Sequence, residues 1–114
     1  MQLEKHKDKR GVIEDLYVGK DFSVTRITFK KGAVRGNHYH KKTKQCDFII
    51  SGWLEVYGDG YKALACPGEV VSMDKNKPHA YRALEDSEMI SICIGKRIGK
   101  NYEKDTFRLK EPLV

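Results

Sequence analysis

Apolar residues occur along this chain in short runs with the period of a strand rather than that of a helix. No segment of eleven or more residues places apolar positions at i, i+3, i+4 and i+7 after a capping residue, so no helix is predicted. Segments rich in β-branched and aromatic residues predict strands instead. The predicted strands cover residues 22–29, 46–50, 53–57, 61–65, 69–73, 79–84 and 88–94.

Glycine, proline and polar residues separate the predicted strands at intervals of about 8–12 residues, which is typical of a β-sandwich or barrel. The clearest hairpin covers residues 57–61, where Gly58-Asp59-Gly60 forms the turn. Segments 48–50 and 90–94 are apolar at nearly every position, which predicts burial on both faces, between two packed layers. The pattern therefore predicts an all-β fold.

The chain length predicts one domain. A chain of 114 residues buries enough surface for a single core without staples. We expect one domain over residues 1–114, with its core at about 20–95 and a charged C-terminal arm at 96–114. The arm has isolated apolar residues at Tyr102, Phe107 and Leu109. It is predicted to lie, as a strand or an arm, against the barrel or against a partner subunit.

The net charge and the cysteines limit the partners and the compartment. The charge is +6, from 22 Lys and Arg against 16 Asp and Glu, which favours anionic ligands. Basic residues are spread along the chain without an aromatic platform, so nucleic acid is not predicted. No apolar segment is as long as a membrane span or a signal peptide, so no membrane partner is predicted. Cys46, Cys66 and Cys93 are odd in number and widely spaced, which predicts reduced thiols in a cytoplasmic protein.

Three of the four histidines lie at the ends of predicted strands. His38 and His40 have the spacing i, i+2, which directs two imidazoles to the same side of an extended segment. Such a pair chelates a metal ion, although an isolated pair of this kind is more often a surface or core feature. Gln45 follows His40 at the head of one strand, and His79 opens another. A third imidazole and an amide oxygen are therefore available to complete a metal site.

The spacing of these residues with the glycines resembles the motifs of the cupin superfamily. Gly32, His38, His40, Gln45 and Gly52 fit the first motif, G-x5-H-x-H-x3,4-E-x6-G, with Gln in place of the commonest Glu. The second motif matches less well. Its glycine and histidine have counterparts, but its proline, glycine and asparagine do not; the residues at these positions are Gly68 and His79, and then Asp74, Asn76 and Ala83.

The resemblance implies a jelly-roll barrel, the double-stranded β-helix of cupins, with one divalent metal ion inside it. By the same resemblance, the metal ligands are His38, His40, Gln45 and His79. Three neutral imidazoles and a neutral amide leave the charge of the ion uncompensated, so the site is expected to favour anionic, oxygen-rich chelators. Imidazole suits Fe, Zn, Ni, Cu and Mn, so the ion is not predicted.

Three further residues are candidates for the site. Asp47 lies two positions after Gln45 and Tyr81 two positions after His79, so strand parity places both on the interior face. Asp47 is predicted to act as a base or to orient an imidazole, and Tyr81 to move a proton. Arg35, together with the lysines at 41, 42 and 44, is predicted to draw an anionic substrate to the mouth of the barrel.

Three functions stay open. The stretch KGAVRGNHYHKKTKQ is similar to small cupins of surface-polysaccharide and nucleotide-sugar pathways, which implies an isomerase or epimerase acting on a sugar or a sugar acid. A metal-dependent dioxygenase acting on a chelating oxo-compound is the second hypothesis. A non-catalytic ligand-binding module is the third. Pairing of cupins through an edge strand further implies a homodimer, with the arm at 102–109 as the candidate contact.

Overall fold

The computed structural model describes residues 3–95 and 105–114, which form strands and turns without a helix. The predicted all-β fold is confirmed. The strands are β1 (Lys5–Asp8), β2 (Gly11–Val18), β3 (Phe22–Phe29), β4 (Val34–Tyr39), β5 (Lys44–Ser51), β6 (Leu54–Gly58), β7 (Tyr61–Ala65), β8 (Val70–Met73), β9 (His79–Ala83), β10 (Ser87–Ile94) and β11 (Phe107–Arg108).

Two antiparallel sheets pack face to face. The first has six strands in the order β1-β2-β3-β10-β5-β8, and the second has five in the order β11-β4-β9-β6-β7. Neighbours in a sheet are often distant in sequence, as in the pairing of β10 with both β3 and β5, and of β9 with both β4 and β6. The chain therefore crosses repeatedly between the two sheets, as a jelly roll does.

The core lies between the two sheets and follows the strand alternation. In β5 the buried positions are Gln45, Asp47 and Ile49, and in β10 they are every second residue from Ser87 to Cys93. The apolar part of the core combines side chains from both sheets: Phe29, Ile49, Leu54, Val56, Ala65, Met73, Tyr81, Ala83 and Met89. Because two of the three buried positions of β5 are polar, one part of the interior is lined by polar side chains rather than by apolar ones.

The prediction that segments 48–50 and 90–94 lie between two layers is wrong for alternate residues. Phe48, Ile50 and Ile94 are 38%, 52% and 48% exposed. Both strands belong to the six-stranded sheet, whose inner face packs on the second sheet while its outer face has no cover among the described residues. In these two strands, apolar residues on both faces therefore do not mean that both faces are buried by the described part of the chain.

Three strands lie outside those predicted from the sequence. The hairpin of β1 and β2 extends the six-stranded sheet beyond β3, and β4 contains His38 and ends one residue before His40. The described part of the C-terminal arm lies against the barrel of its own chain. There β11 pairs with β4, and Phe107 stacks on Tyr39 with ring centroids 5.4 Å apart. Tyr102, the other aromatic residue of the arm, lies outside the described residues.

Two further observations bear on the sequence predictions. Within residues 3–95 and 105–114, no helix is long and apolar enough to cross a membrane. Cys46, Cys66 and Cys93 form no disulfide bond with one another, and Cys93 is buried in the core.

Candidate metal centre

The backbone of β4 is bent where the histidine pair begins. Gly36 and Asn37 have positive φ angles of 100° and 58°, and the register of β4 on β9 shifts between Gly36 and His38. A Cβ atom at Gly36 would lie 2.9 Å from the carbonyl oxygen of His79, so only glycine fits this approach of the two strands. The bulge brings His38 directly opposite His79.

His38, His40 and His79 form a cluster inside the barrel. One nitrogen from each ring lies within 4.8 Å of the corresponding nitrogen of the others. The ring centroids are 4.7 Å apart for His38 and His40, 4.8 Å for His38 and His79, and 5.3 Å for His40 and His79. His40 and His79 are each only 2% exposed. The residues that the sequence singled out from three separate positions thus converge on one point.

Backbone carbonyl groups fix the tautomers of the two buried histidines. Nδ1 of His40 lies 2.8 Å from the carbonyl oxygen of Asp105, and Nδ1 of His79 lies 3.1 Å from that of Lys77. A carbonyl oxygen only accepts a hydrogen bond, so each Nδ1 carries the proton and each Nε2 has the lone pair. Neutral imidazoles oriented in this way by a second hydrogen bond are typical metal ligands. The donor set therefore fits a divalent transition-metal ion.

Gln45, Asp47 and Tyr81 form a buried network across the interior. The amide group of Gln45 donates hydrogen bonds to both carboxylate oxygens of Asp47, at 3.0 and 2.8 Å, and the hydroxyl group of Tyr81 donates to Asp47 Oδ2. Because the amide nitrogen of Gln45 is held by Asp47, the Oε1 atom of Gln45 is the atom left for a ligand. Tyr81 connects this network to the histidines, since it lies two residues after His79 on the same face of β9.

The environment of Tyr81 keeps its hydroxyl group protonated. Burial is the main reason that the pKa of Tyr81 is raised well above its usual value, and the neighbouring carboxylate of Asp47 raises it further. Tyr81 is therefore a proton donor at neutral pH, and Asp47 is the acceptor of the pair.

Arg35 also points into the interior of the barrel, opposite Tyr81 in the register of β4 and β9. It is 7% exposed, donates a hydrogen bond to the carbonyl oxygen of Thr28, and has its guanidinium group 5.4 Å from the centre of the Phe29 ring. Burial lowers the pKa of Arg35, and the nearby charge of Arg10 lowers it further. The described contacts of Arg35 are therefore inside the barrel. The sequence analysis had instead grouped Arg35 with the lysines after β4, at the mouth of the barrel.

A groove of about 400 Å³ lies beside the strand that carries His79. Its walls come from the turn between β6 and β7 and from the segment between β8 and β9. They include Asp59, Tyr61, Asp74, Asn76 and Lys77. The lining is mixed in charge and rich in hydrogen-bonding groups, and its last member, Pro78, directly precedes His79.

Two parts of the site had no signal in the sequence. The carbonyl group of Asp105 that holds His40 comes from a residue 65 positions away in the chain. The carbonyl group of Lys77 that holds His79 belongs to the backbone, which any residue provides. Neither contact follows from the type or spacing of the side chains, because both depend on where the backbone folds.

The chain belongs to the cupin family, because residues 25–95 match the family described as "Cupin domain", well over half of the chain. The matched segment includes the histidine cluster and the Gln45–Asp47–Tyr81 network. No curated protein matches.

Solved structures with a similar fold are each about 20% identical to this chain. The capsular polysaccharide assembling protein CapF from Staphylococcus aureus has 23% identity and a TM-score of 0.77 over 96% of this chain and 35% of its own. Oxalate decarboxylase from Bacillus subtilis has 20% identity and a TM-score of 0.80 over 95% of this chain and 30% of its own. A conserved protein of unknown function from Streptococcus pyogenes has 21% identity and a TM-score of 0.68 over 77% of both chains.

At these identities the similarity establishes the fold and no more. The chain spans about a third of the length of CapF and of oxalate decarboxylase.

Proposed function

We propose that this cupin binds one divalent metal ion through His38, His40, His79 and the Oε1 atom of Gln45, and acts on a small anionic, oxygen-rich substrate. The observation that carries the proposal is the convergence of three imidazole nitrogens to within 4.8 Å inside the barrel. The tautomers of His40 and His79, fixed by backbone carbonyl groups, support it further.

All four proposed ligands are neutral. A divalent ion held by them keeps its positive charge, and the net charge of +6 on the chain adds a general attraction for anions. When bound, the ion would supply a Lewis acid that polarises a substrate carbonyl or carboxylate group. The expected substrates are therefore sugars with an acidic group, or other small oxygen-rich acids that reach the ion through two oxygen atoms.

The protein's own residues are proposed to handle the proton. Tyr81 holds a proton at its hydroxyl oxygen because burial raises its pKa, and Asp47 accepts the hydrogen bond from that group. Asp47, which also orients Gln45, would remove a proton from the substrate as a general base, and Tyr81 would deliver a proton to it as a general acid. The proton taken up by Asp47 would then pass to the Tyr81 oxygen, which restores both groups. Such a pair suits isomerisation or epimerisation, in which a proton leaves one carbon atom and returns to another or to the opposite face.

The fold similarity to CapF supports a polysaccharide-related substrate, since that protein is described as assembling capsular polysaccharide. The similarity to oxalate decarboxylase favours a second candidate, a metal-dependent reaction on a small chelating oxo-acid, including dioxygenase chemistry with iron. Oxygen consumption in the presence of iron and a candidate oxo-acid separates the two. We also propose a cytoplasmic location, which suits three cysteines that form no disulfide bond with one another.

The metal content of protein purified without chelator and without a nickel affinity step tests the proposal. We expect about one ion per chain in the wild type and in His6→Ala, a control that removes an exposed histidine outside the site. The His38→Ala/His79→Ala variant is expected to contain none. Metal-free wild-type protein that takes up no Fe, Zn, Ni or Mn, or a double variant that retains its ion, would refute the metal site.

A further inference from the structure

We propose that the C-terminal segment, residues 105–114, is a clasp on the metal site, and that docking of the clasp and binding of the ion stabilise each other. This coupling rests on the proposed metal site and adds Asp105 to it as a positioning residue. The clasp lies along β4, where Arg108 pairs with His38, and along the loop after His40. Its contacts with that loop join residues 62 to 65 positions apart in the chain.

Side chains next to the two histidines of β4 and its following residue contact the clasp. Tyr39 lies between His38 and His40, whose imidazoles belong to the cluster inside the barrel. The ring of Tyr39 stacks on that of Phe107 in the clasp. The ammonium group of Lys41 lies 4.3 Å from the centre of the same Phe107 ring. Because successive side chains of an extended segment point to opposite sides, one short stretch holds the ligands on one side and the clasp on the other.

The clasp is also fastened in front of the histidine pair, at Asn37. The carbonyl oxygen of Asn37 accepts a hydrogen bond from the N–H group of Leu109, at 3.0 Å. Its side-chain oxygen accepts one from the N–H group of Leu113 at 2.7 Å, and its side-chain amide donates one to the backbone oxygen of Val114 at 3.1 Å. The stretch that carries the two histidines is therefore held by the clasp on both sides of the pair.

Asp105 holds both the ring of His40 and the loop that follows it. Its carbonyl oxygen accepts the Nδ1 hydrogen of His40, at 2.8 Å. Its carboxylate accepts hydrogen bonds from three consecutive loop residues: the backbone N–H groups of Lys41 and Lys42 and the hydroxyl group of Thr43. Asp105 is 8% exposed, so water does not reach these groups unless the loop opens. Since the loop leads from His40 to Gln45, one residue positions two proposed ligands.

These contacts couple the clasp to the ion in both directions. The hydrogen bond that Nδ1–H of His40 donates becomes stronger when Nε2 holds a metal ion, because a coordinated imidazole is more acidic. A fixed partner at Nδ1 in turn keeps the lone pair of Nε2 directed at the ion. By linkage, the factor by which the docked clasp tightens metal binding is also the factor by which the ion favours docking.

Titration of metal-free protein with Co²⁺, followed by its visible absorption, measures the effect of Asp105 on the metal site. Asp105→Ala keeps the backbone carbonyl group but removes the carboxylate that positions it, and we expect Co²⁺ binding at least about tenfold weaker. Asp105→Asn, whose amide oxygen still accepts hydrogen bonds from the loop, should recover part of the affinity. Asp8→Ala is the matched control, because Asp8 holds the turn at Arg10 in the same way, outside the site. It should bind Co²⁺ as the wild type does.

Phe107→Ala tests the clasp without changing Asp105 or a ligand. We expect Co²⁺ binding about two- to tenfold weaker, since one stacked aromatic pair contributes a free energy of that size to docking. Phe22→Ala is the control, because Phe22 stacks on Tyr17 in the same way, with ring centroids 5.0 Å apart, in the hairpin of β2 and β3. This variant should leave the affinity for Co²⁺ unchanged.

Hydrogen exchange of the Leu109 amide, which donates to Asn37, measures the reverse effect. We expect saturating Zn²⁺ to slow this exchange at least about tenfold in the wild type, a factor of the same order as the loss of affinity in Asp105→Ala. The amide of Gly19, which donates to Phe22 in a hairpin outside the site, is the internal control. Its exchange should not depend on Zn²⁺.

The ring of His40 provides a readout that needs no metal and separates the clasp from the proposed function. Its imidazole ¹⁵N shifts in metal-free protein at pH 8 should report the Nδ1–H tautomer in the wild type and in Asp8→Ala, and a mixture of tautomers in Asp105→Ala. A wild type that binds neither Co²⁺ nor Zn²⁺ refutes the proposed function and the coupling, while the tautomer still decides whether Asp105 positions the ring.

Circular dichroism checks that each variant is folded, and Asp105→Asn and Phe107→Ala carry the test if Asp105→Ala does not fold. The positioning role is overturned if folded Asp105→Ala keeps both the tautomer and the Co²⁺ affinity of the wild type. The coupling is overturned if the wild type binds Zn²⁺ and the Leu109 amide still exchanges at the rate of metal-free protein.

Discussion

Asp47 and Glu55 are two carboxylates with almost the same exposure, 0% and 6%, in very different surroundings. Glu55, on the outer face of β6, contacts two cations: Lys62 at 2.7 Å and Arg82 at 2.6 Å. Asp47, inside the barrel, accepts hydrogen bonds from the neutral groups of Gln45 and Tyr81. The two cations of the outer cluster compensate the charge of Glu55, whereas Asp47 places a carboxylate beside a proposed cation site without a cationic side chain among these partners. A buried charge is therefore informative about function only together with its partners.

The largest difference between the two carboxylates should appear when each is removed. Asp47→Ala leaves two buried donors, the Gln45 amide and the Tyr81 hydroxyl, without their acceptor. At about 1–3 kcal/mol for each unsatisfied group, the loss of stability is roughly 2–6 kcal/mol. Glu55→Ala should cost much less, because Lys62 and Arg82 reach solvent. Urea unfolding of both variants measures the difference, and equal losses would contradict the comparison.

Addition of a metal ion should stabilise the fold through the histidine site inside the barrel and not through the ion-pair cluster around Glu55. A ligand at about one hundred times its Kd stabilises the native state by about 2.7 kcal/mol, which raises the Tm of a domain of this size by roughly 10 °C. We expect this rise in the wild type and in Glu55→Gln, and its absence in His38→Ala/His79→Ala. Calorimetry of metal-free protein before and after addition of Zn²⁺ measures it. The same rise in the double variant would mean that Zn²⁺ binds elsewhere.

Asp47→Asn should separate the orientation of Gln45 from the packing of the interior. An amide at position 47 presents an NH₂ group to Gln45, which favours rotation of the Gln45 amide and directs its NH₂ group toward the metal. Affinity for Co²⁺ should fall by about 10–100-fold, the usual effect of losing a residue that orients a ligand. Glu55→Gln is the matched carboxylate-to-amide control and should leave the affinity unchanged. Equal affinities would remove Gln45 or Asp47 from the proposed site.

The smallest effect is the pH dependence contributed by Glu55. The hydrogen bond from Lys62, followed by that from Tyr57 and the contacts of Arg82, lowers the pKa of Glu55 from 4.5 to about 2. Because the folded pKa is below the unfolded one, the stabilisation is complete above pH 4.5 and disappears as the pH falls toward 2. Urea midpoints of the wild type and Glu55→Gln should therefore differ most at neutral pH and converge toward pH 2. A constant difference would contradict this.

Tyr57, Lys62 and Arg82, which surround Glu55, show what the sequence does not indicate. In the sequence, these three residues are part of an ordinary alternation of polar and apolar positions in β6, β7 and β9. Only the register of these strands brings the three side chains together. The hairpin at 57–61, in contrast, was predicted with nearly its actual bounds, because Gly-Asp-Gly is a local turn signal. Contacts across a sheet depend on register, and register is a property of the whole fold.

The outer face of the six-stranded sheet shows a second limit of prediction from a local sequence pattern. Continuous apolar runs in β5 and β10 predicted a second layer, yet Phe48 and Ile50 face outward. The apolar pattern therefore did not distinguish a strand buried on both faces from a strand with an exposed apolar outer face.

By itself, the sequence determined that the fold is all-β, where most of the turns lie, and which three histidines are candidate metal ligands. These features depend on the strand period, on local turn chemistry and on the spacing of residues along the chain. The tertiary structure alone decided the bulge that brings His38 opposite His79, the role of Asp105 beside His40, and the pairing of Gln45 with Asp47 and Tyr81. Each of these joins segments distant in sequence. Their contacts arise only when two sheets pack and every buried polar group must find its partner within the space that remains.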